Sequence, residues 1–158
     1  MKRSSPIVES RSVQPLRVLG AEVRFLCEGR STEGAWSLME VTLPVNAGPP
    51  PHTHDWAEAY FVIEGEVEFV VDGERLVARA GDFLHTPAGT PHGFSGKSQR
   101  PARVLIFDSP AHAGAFFKRV DREVSELPRD LAKVLAIGAD TGIHFQAPTR
   151  GTASAAAG

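Results

Sequence analysis

Residues 48–58 read GPPPHTHDWAE and place three potential metal-binding side chains close together in the chain. His52 and His54 are separated by one residue, so on an extended strand both imidazoles leave the same face and can bind one ion. Glu58 follows after three intervening residues. A short bend after His54 would therefore bring the Glu58 carboxylate, from the next strand, to the same ion.

A third histidine comes from a second stretch, residues 81–92, which reads GDFLHTPAGTPH and ends at His92. Three neutral imidazoles and one carboxylate suit a divalent transition metal, and Fe, Mn, Ni, Cu and Zn all accept such a set. On an octahedral ion, four protein ligands leave two adjacent positions for water, substrate or dioxygen. We therefore predict one divalent transition metal ion per chain; the alternative is a cluster of interior histidines without metal.

Glu58 is also the predicted catalytic residue. A carboxylate beside a cation keeps a low pKa, yet it can accept a proton transiently if it moves off the metal. In that case Glu58 acts as a general base toward a bound substrate. The simpler alternative is that it serves only as the fourth ligand.

The segments around these two stretches alternate between apolar and polar residues, which is typical of strands. Asp72-Gly73 supplies the positive φ angles of a tight hairpin turn between two of them. Short strands divided by Gly, Pro and Asp turns predict an all-β fold, an antiparallel sandwich or barrel. The predicted strands span residues 22–27, 36–43, 59–63, 66–71, 74–80, 83–86 and 103–108.

The pattern changes to helical spacing after Asp108. Ser109-Pro110 predicts the start of one short helix, and a second begins near Pro128 and ends before Gly142. We expect both helices to pack on the outside of the β unit or across a dimer contact. The predicted organisation is a flexible N-terminus (1–12), the β unit (13–108), a C-terminal helical extension (109–146) and a disordered tail (147–158).

Composition narrows the class of partner. The chain has 158 residues, enough for one domain, and 17 Lys and Arg against 19 Asp and Glu argue against nucleic acid as a partner. The longest apolar run is about five residues, far too short to span a bilayer, so no membrane partner is expected. A single cysteine, Cys27, excludes an intramolecular disulfide and favours a reducing cytoplasm. Because an isolated β unit has exposed strand edges, we expect a homodimer.

Two glycine-bounded motifs resemble the two motifs of the cupin superfamily. They are Gly48-x3-His52-x-His54-x3-Glu58-x6-Gly65 and Gly81-x5-Pro87-x-Gly89-x2-His92. The run at 58–66 and the tail at 131–145 resemble, more closely, the quercetin-dioxygenase-like group of single-domain cupins. The resemblance implies a jelly-roll β barrel, a metal held by His52, His54, Glu58 and His92, and frequent homodimers. The chain departs from the family pattern at Gly48, which lies closer to His52 than is usual, and at Gly96, where an asparagine often ends the second motif.

The resemblance and the ligand set together predict a metal-dependent cupin enzyme, a dioxygenase-type oxidoreductase that acts on a small aromatic or enolic substrate. Tyr60 and Phe94 each lie two residues from a proposed ligand and are therefore predicted to line the substrate pocket. Trp56 is expected to be a lid residue or a cap on the barrel mouth, and His85 to be a surface or packing histidine. The alternatives are a cupin isomerase or polyketide cyclase, and a non-enzymatic module that binds a metal or small ligand.

Overall fold

The computed structural model describes residues 6–146, in which the strands form two antiparallel sheets that face each other. The strands are β1 (Leu16–Val18), β2 (Ala21–Cys27), β3 (Ser37–Leu43), β4 (His52–Thr53), β5 (Ala57–Glu64), β6 (Glu66–Val71), β7 (Glu74–Arg79), β8 (Phe83–Thr86), β9 (His92–Gly96), β10 (Ala102–Ser109) and β11 (His144–Phe145). The helices are α1 (Ala113–Glu123) and α2 (Leu131–Thr141). The larger sheet has the order β1-β2-β3-β10-β5-β8, and the smaller has the order β11-β4-β9-β6-β7.

Alternating burial along the strands forms a single core between the sheets. β3 buries every second residue, and β5 and β10 follow the same rule. Phe69 and Phe94 fill the core from the smaller sheet. The predicted all-β jelly roll with two C-terminal helices is confirmed, although in the described part of the chain the two sheets are not hydrogen-bonded into a closed barrel.

The predicted strands agree closely with those of the structure. The hairpin between β6 and β7 turns at Asp72 and Gly73, whose φ angles are 49° and 82°. The two glycine-bounded motifs contribute the short strands β4 and β9. The predicted strands did not include β1, β4, β9 or β11. Strands of two or three residues are too short to show a period, and β9 (His92–Gly96) contains two glycines that interrupt its pattern.

The helices begin later than predicted. α1 begins at Ala113 because the carboxylate of Asp108, and not Ser109, accepts the backbone N–H groups of His112 and Ala113, each at 3.0 Å. α2 begins at Leu131, after a turn that starts at Pro128. It ends as predicted before Gly142, whose φ of 83° allows the left-handed C-cap.

The two helices and β11 form a continuous segment, residues 113–145, that we call the C-terminal arm. α1 packs against β1 and α2, and it buries Phe116 and Val120. β11 pairs with β4, which places Phe145 opposite His52. The arm therefore does pack on the β unit, but at the end that carries the proposed ligands.

Only part of the predicted N-terminal segment, and none of the predicted tail, lies within the described residues. Ser10–Ser12 form a 3-10 turn, and the Ser10 hydroxyl donates a hydrogen bond to Glu40 at 2.9 Å. Residues 1–5 and the predicted tail at 147–158 lie outside the described residues. None of the helices within residues 6–146 has the length and apolar character needed to cross a membrane.

Candidate metal centre

Three histidines converge between the two sheets. His52 and His92 are paired across β4 and β9, and His54 follows directly after β4. One ring nitrogen from each of the three lies within 4.8 Å of the others, and all three side chains are buried. Glu58 approaches from β5 in the opposite sheet. Its Oε1 is 3.3 Å from His54 Nε2, and its Oε2 is 3.3 Å from His92 Nε2. The structure thus brings together all four predicted ligands.

Backbone carbonyls fix the orientation of each imidazole. The Nδ1 atoms of His52, His54 and His92 lie 2.9, 2.9 and 2.7 Å from the carbonyl oxygens of Pro50, Trp56 and Thr90. A carbonyl oxygen can only accept, so each Nδ1 carries the hydrogen. When such a ring is neutral, its Nε2 carries the lone pair that can bind a metal, as in metal-binding histidines.

This donor set fits a metal ion. The Nε2 atom of His54 is buried and has no hydrogen-bond partner among residues 6–146, although it lies close to a carboxylate oxygen of Glu58. Two acceptors at that distance repel each other unless a proton or a cation lies between them. Three nitrogen donors and one carboxylate oxygen could therefore hold a divalent transition metal, and the set itself does not select one metal over another.

The pKa values of the cluster follow from burial and mutual contact. Burial, together with the nearby His92, lowers the pKa of His52 to about 4, so this ring is neutral. Burial raises the pKa of Glu58, but the adjacent His54 and His92 outweigh it and hold the pKa of that carboxyl below its usual range. Burial lowers the pKa of His92, yet its contact with Glu58 outweighs burial and raises it overall. A proton and a metal ion would therefore compete for the pair formed by His92 and Glu58.

Glu58 is also held from its other side. The Tyr60 hydroxyl donates a short hydrogen bond to Oε2, and the indole Nε1–H of Trp56 points at Oε1 from 3.4 Å. The Thr86 hydroxyl donates to the backbone carbonyl of Glu58 at 3.3 Å. Burial and the charge of Glu58 raise the pKa of Tyr60 well above its usual value, so its hydroxyl remains a donor.

An apolar cavity of about 40 Å³ reaches His52 and Glu58. Phe94 lies on its wall, while Tyr60 lies behind the Glu58 carboxylate and is not among the wall residues. No lysine or arginine of the described chain lines the cavity. Its further lining residues are Val18, Leu19, Ala21, Val23, Val41, Pro49, Ile106, Ala113, Phe116, Phe117, Ile143 and Phe145.

Sequence reasoning missed the contribution of the C-terminal arm to this cavity. Five wall residues come from α1 and from the segment that enters β11. The helical spacing that includes Phe116 was visible in the sequence, but nothing there indicated that the arm folds back over β4. His144 of this arm pairs with Thr53, next to His52.

Four aromatic or imidazole side chains outside the ligand set are also placed by the structure. Trp56, expected to be a lid residue or a cap on the barrel mouth, is 2% exposed and stacks on His54. Trp36 and Phe107 stack on each other on the outer face of the larger sheet. His85 is an exposed residue of β8, as expected, since its neighbour Thr86 faces inward beside Glu58.

Close backbone contacts require a glycine at both positions where the chain departs from the family motifs. Gly48 has a φ of 131°, and a Cβ atom there would overlap the carbonyl oxygen of Phe94. A Cβ atom at Gly96 would overlap the carbonyl oxygen of Pro44 and lie 2.6 Å from that of Leu43. The chain therefore passes too close to admit an asparagine at position 96.

Comparison with known proteins finds similarity to cupins over part of the chain. The family model described as a cupin domain matches residues 39–108, which include all four proposed ligands. The chain is 34% identical over 80 residues to quercetin 2,3-dioxygenase of Bacillus subtilis (strain 168). These residues make up 50% of this chain but only 24% of that protein, so the chain spans about a quarter of the length of this relative.

Two further relatives match over more of their length. The polyketide synthase CurC of Streptomyces cyaneus is 24% identical over 139 residues, 86% of this chain and 90% of that protein. The solved structure of the polyketide cyclase RemF from Streptomyces resistomycificus superposes with a TM-score of 0.59 at 26% identity, covering 69% of this chain and 79% of that one. Together, the two sheets, the convergent histidines and these similarities show that residues 39–108 have the fold and the histidine arrangement of a cupin domain.

Proposed function

We propose that this chain is a metal-dependent enzyme that activates a small, uncharged aromatic or enolic molecule. His52, His54, Glu58 and His92 would hold one divalent transition metal ion per chain. The observation that carries the proposal is the buried Nε2 of His54, which has no donor beside it and faces the Glu58 carboxylate at the base of an apolar cavity.

The cavity walls favour this substrate class. A phosphate or carboxylate group buried against the walls, away from the proposed metal, would need a cationic side chain, and the described residues of the wall supply none. A sugar would need several hydrogen-bonding side chains, whereas the wall is built mainly of aliphatic and phenyl groups. An apolar ring that reaches the ligand cluster with one hydroxyl or enol oxygen fits both the walls and the base.

The substrate must also displace side chains. The cavity of about 40 Å³ holds a few water molecules, while sites for small organic ligands usually enclose about 300–1,000 Å³. Phe116, Phe117 and Phe145 line the cavity from the C-terminal arm, and we propose that they move outward when substrate enters.

The roles of the side chains follow from their positions. A bound metal would lower the pKa of a coordinated hydroxyl or enol. Glu58, which reaches the cavity, would accept the proton released. Tyr60 would keep the carboxylate aligned through its hydrogen bond to Oε2. Phe94 and Phe145 would hold the aromatic ring and exclude water.

Two reaction types are compatible with these roles. Ring closure of an enolisable polyketide is supported by the similarity to CurC and RemF, since a match of 139 residues in a chain of 158 must include α1 and its cavity residues. Dioxygenation is supported by the higher identity to the dioxygenase, which is confined to half of this chain. We favour the cyclase type because the long match to CurC, a polyketide synthase, takes in α1 of the cavity wall, and because RemF is a polyketide cyclase.

Elemental analysis and an oxygen electrode test this proposal together. Untagged protein from metal-supplemented cultures should contain about one transition metal ion per chain, and a metal-free result would refute the site. The loaded protein is then given catechols, flavonols and linear β-polyketones. Turnover without oxygen uptake supports cyclisation, and turnover with stoichiometric uptake supports dioxygenation. Saturable binding without turnover would refute an enzymatic role and favour a binding module.

We also propose that two copies pair through the outer face of the larger sheet, in the cytoplasm that a single free cysteine favours. Charged residues of both signs border this face, since Arg103 contacts Glu40 at 3.0 Å and Glu64 at 3.7 Å. A twofold axis through the face would let the Arg and Glu side chains of one copy pair with those of the other copy. The same contact would cover the apolar centre of the face. Sedimentation equilibrium should give twice the 17.0 kDa chain mass. The apolar residues of the face are Trp36, Phe61, Phe83 and Phe107.

A further inference from the structure

Trp56 lies between two proposed ligands in the sequence and contacts both of them. Its indole stacks on the imidazole of His54, with ring centroids 4.0 Å apart and planes only 5° from parallel. Its Nε1–H points at Glu58 Oε1 from 3.4 Å, and its backbone carbonyl accepts the Nδ1–H of His54 at 2.9 Å. Trp56 therefore fixes the tautomer and the ring plane of His54 and restrains the carboxylate of Glu58.

The indole is itself held by the C-terminal arm. A Cβ atom built on Gly142, at the end of α2, would lie 3.4 Å from Cζ3 of Trp56, so the glycine backbone packs closely against the ring. The imidazole of His112, which precedes α1, lies 5.6 Å from the indole, centroid to centroid. The residue before α1 and the residue after α2 thus both contact the same buried side chain next to the metal centre.

We propose that Trp56 is a positioning residue of the metal centre, through which the C-terminal arm sets metal affinity and coordination geometry. Trp56 is not part of the cavity wall, so its action on the reaction would pass through His54 and Glu58 and not through contact with substrate. The proposal rests on the proposed function, since it requires these two residues to bind a metal.

The test uses Co²⁺ as the probe, because its absorption spectrum reports coordination number and geometry. Trp56→Phe keeps an aromatic face but lacks the N–H group, and Trp56→Leu lacks both. Trp36→Phe is the matched control, since Trp36 is the other tryptophan of the chain and lies on the outer face. Affinity is measured on each full-length protein by competition with a chelator.

We expect Trp56→Phe to weaken Co²⁺ binding about tenfold and Trp56→Leu about 100-fold, the range found for residues that orient metal ligands. The Co²⁺ absorption bands should shift in both variants, while Trp36→Phe should match the wild-type protein. In Trp36→Phe the remaining indole is stacked on a ligand, so Co²⁺ should quench most of its fluorescence. In Trp56→Phe the remaining emission should change little.

The outcomes separate the two proposals. If the wild-type protein does not bind Co²⁺, the metal-dependent function is refuted. If the wild-type protein binds it and Trp56→Phe has the same affinity and spectrum, the positioning role is refuted while the function stands. If both Trp56 variants lose their native circular dichroism, the positioning role is tested by the fluorescence of Trp36→Phe. Emission from Trp56 that Co²⁺ does not quench would then refute the role of Trp56.

Discussion

The two faces of β5 differ from those of an ordinary half-buried strand. Polar groups lie on its buried face, and an apolar ring lies on its exposed face. The inner face buries the carboxylate of Glu58 and the hydroxyl of Tyr60, at 7% and 1% exposure. The outer face presents Phe61, which is 43% exposed and is paired across the sheet with the still more exposed Phe83. A soluble antiparallel sheet usually places apolar residues inside and polar residues outside. Buried polar groups and exposed apolar groups are the informative exceptions, because each costs free energy unless something binds there.

We infer from this difference that the inner and outer faces bind different partners. The inner polar groups are gathered around one point, and the neighbouring His54 and His92 share the carboxylate of Glu58. Such a cluster is stable only when its members are paired or coordinate a cation. The outer residues are spread over several strands and contact one another through ring faces, as Trp36 and Phe107 do. This arrangement suits another protein surface.

The largest expected effect comes from removing an inner ligand. His54→Ala should lower metal affinity by more than about 100-fold, since even changes behind the ligands cost about 10–100-fold. The fold should persist, because the core between the sheets and not the ion holds the domain together. Metal content and circular dichroism check both points. His85→Ala, on the outer face, is the control and should retain full metal content. Unfolding of His54→Ala would indicate a structural ion and argue against the enzymatic role.

A smaller effect is expected from two neighbours on opposite faces of β5. Tyr60→Phe removes the donor to Glu58 and should lower the free energy of unfolding by about 1–3 kcal/mol, because a buried carboxylate oxygen loses a partner. Phe61→Leu, one residue along, should change it by no more than about 0.5 kcal/mol. Urea denaturation in the presence of a chelator measures both. Equal changes in the free energy of unfolding would show that the inner and outer faces of β5 do not differ in this way.

The sequence predicted the strands and the ligand cluster, because both depend on local patterns. Alternation sets the strands, and spacing within two short stretches brings His52, His54 and His92 together. It did not predict which way Phe107 faces. Asp108 is buried because it caps α1 and contacts Ser37, and this turns its apolar neighbour toward solvent. An apolar-inside rule gives the wrong orientation wherever a buried carboxylate has such a long-range partner.

The C-terminal arm could not be placed from the sequence for a related reason. Its link to the metal centre is a two-residue strand pair between β11 and β4, which has no periodicity to detect. The stacking of Trp56 depends on Gly142, which is distant in the chain. Contacts of this kind arise from the packing of the whole domain, so only the structure reveals the wall that the arm adds to the cavity.

The smallest expected effect tests the outer face alone. Phe61→Lys places a charge at the centre of the proposed dimer contact, and burying that charge without a partner should weaken dimerisation at least about tenfold. Metal content and the Co²⁺ spectrum should stay at wild-type values, since the side chain points away from Glu58 and Tyr60. Sedimentation equilibrium across a range of protein concentrations measures the change, with Glu74→Lys on β7 of the other sheet as the control for added charge. If Phe61→Lys leaves the dimer intact, the copies pair through another surface. If it also releases the metal, the two faces of β5 are coupled and the division between them is wrong.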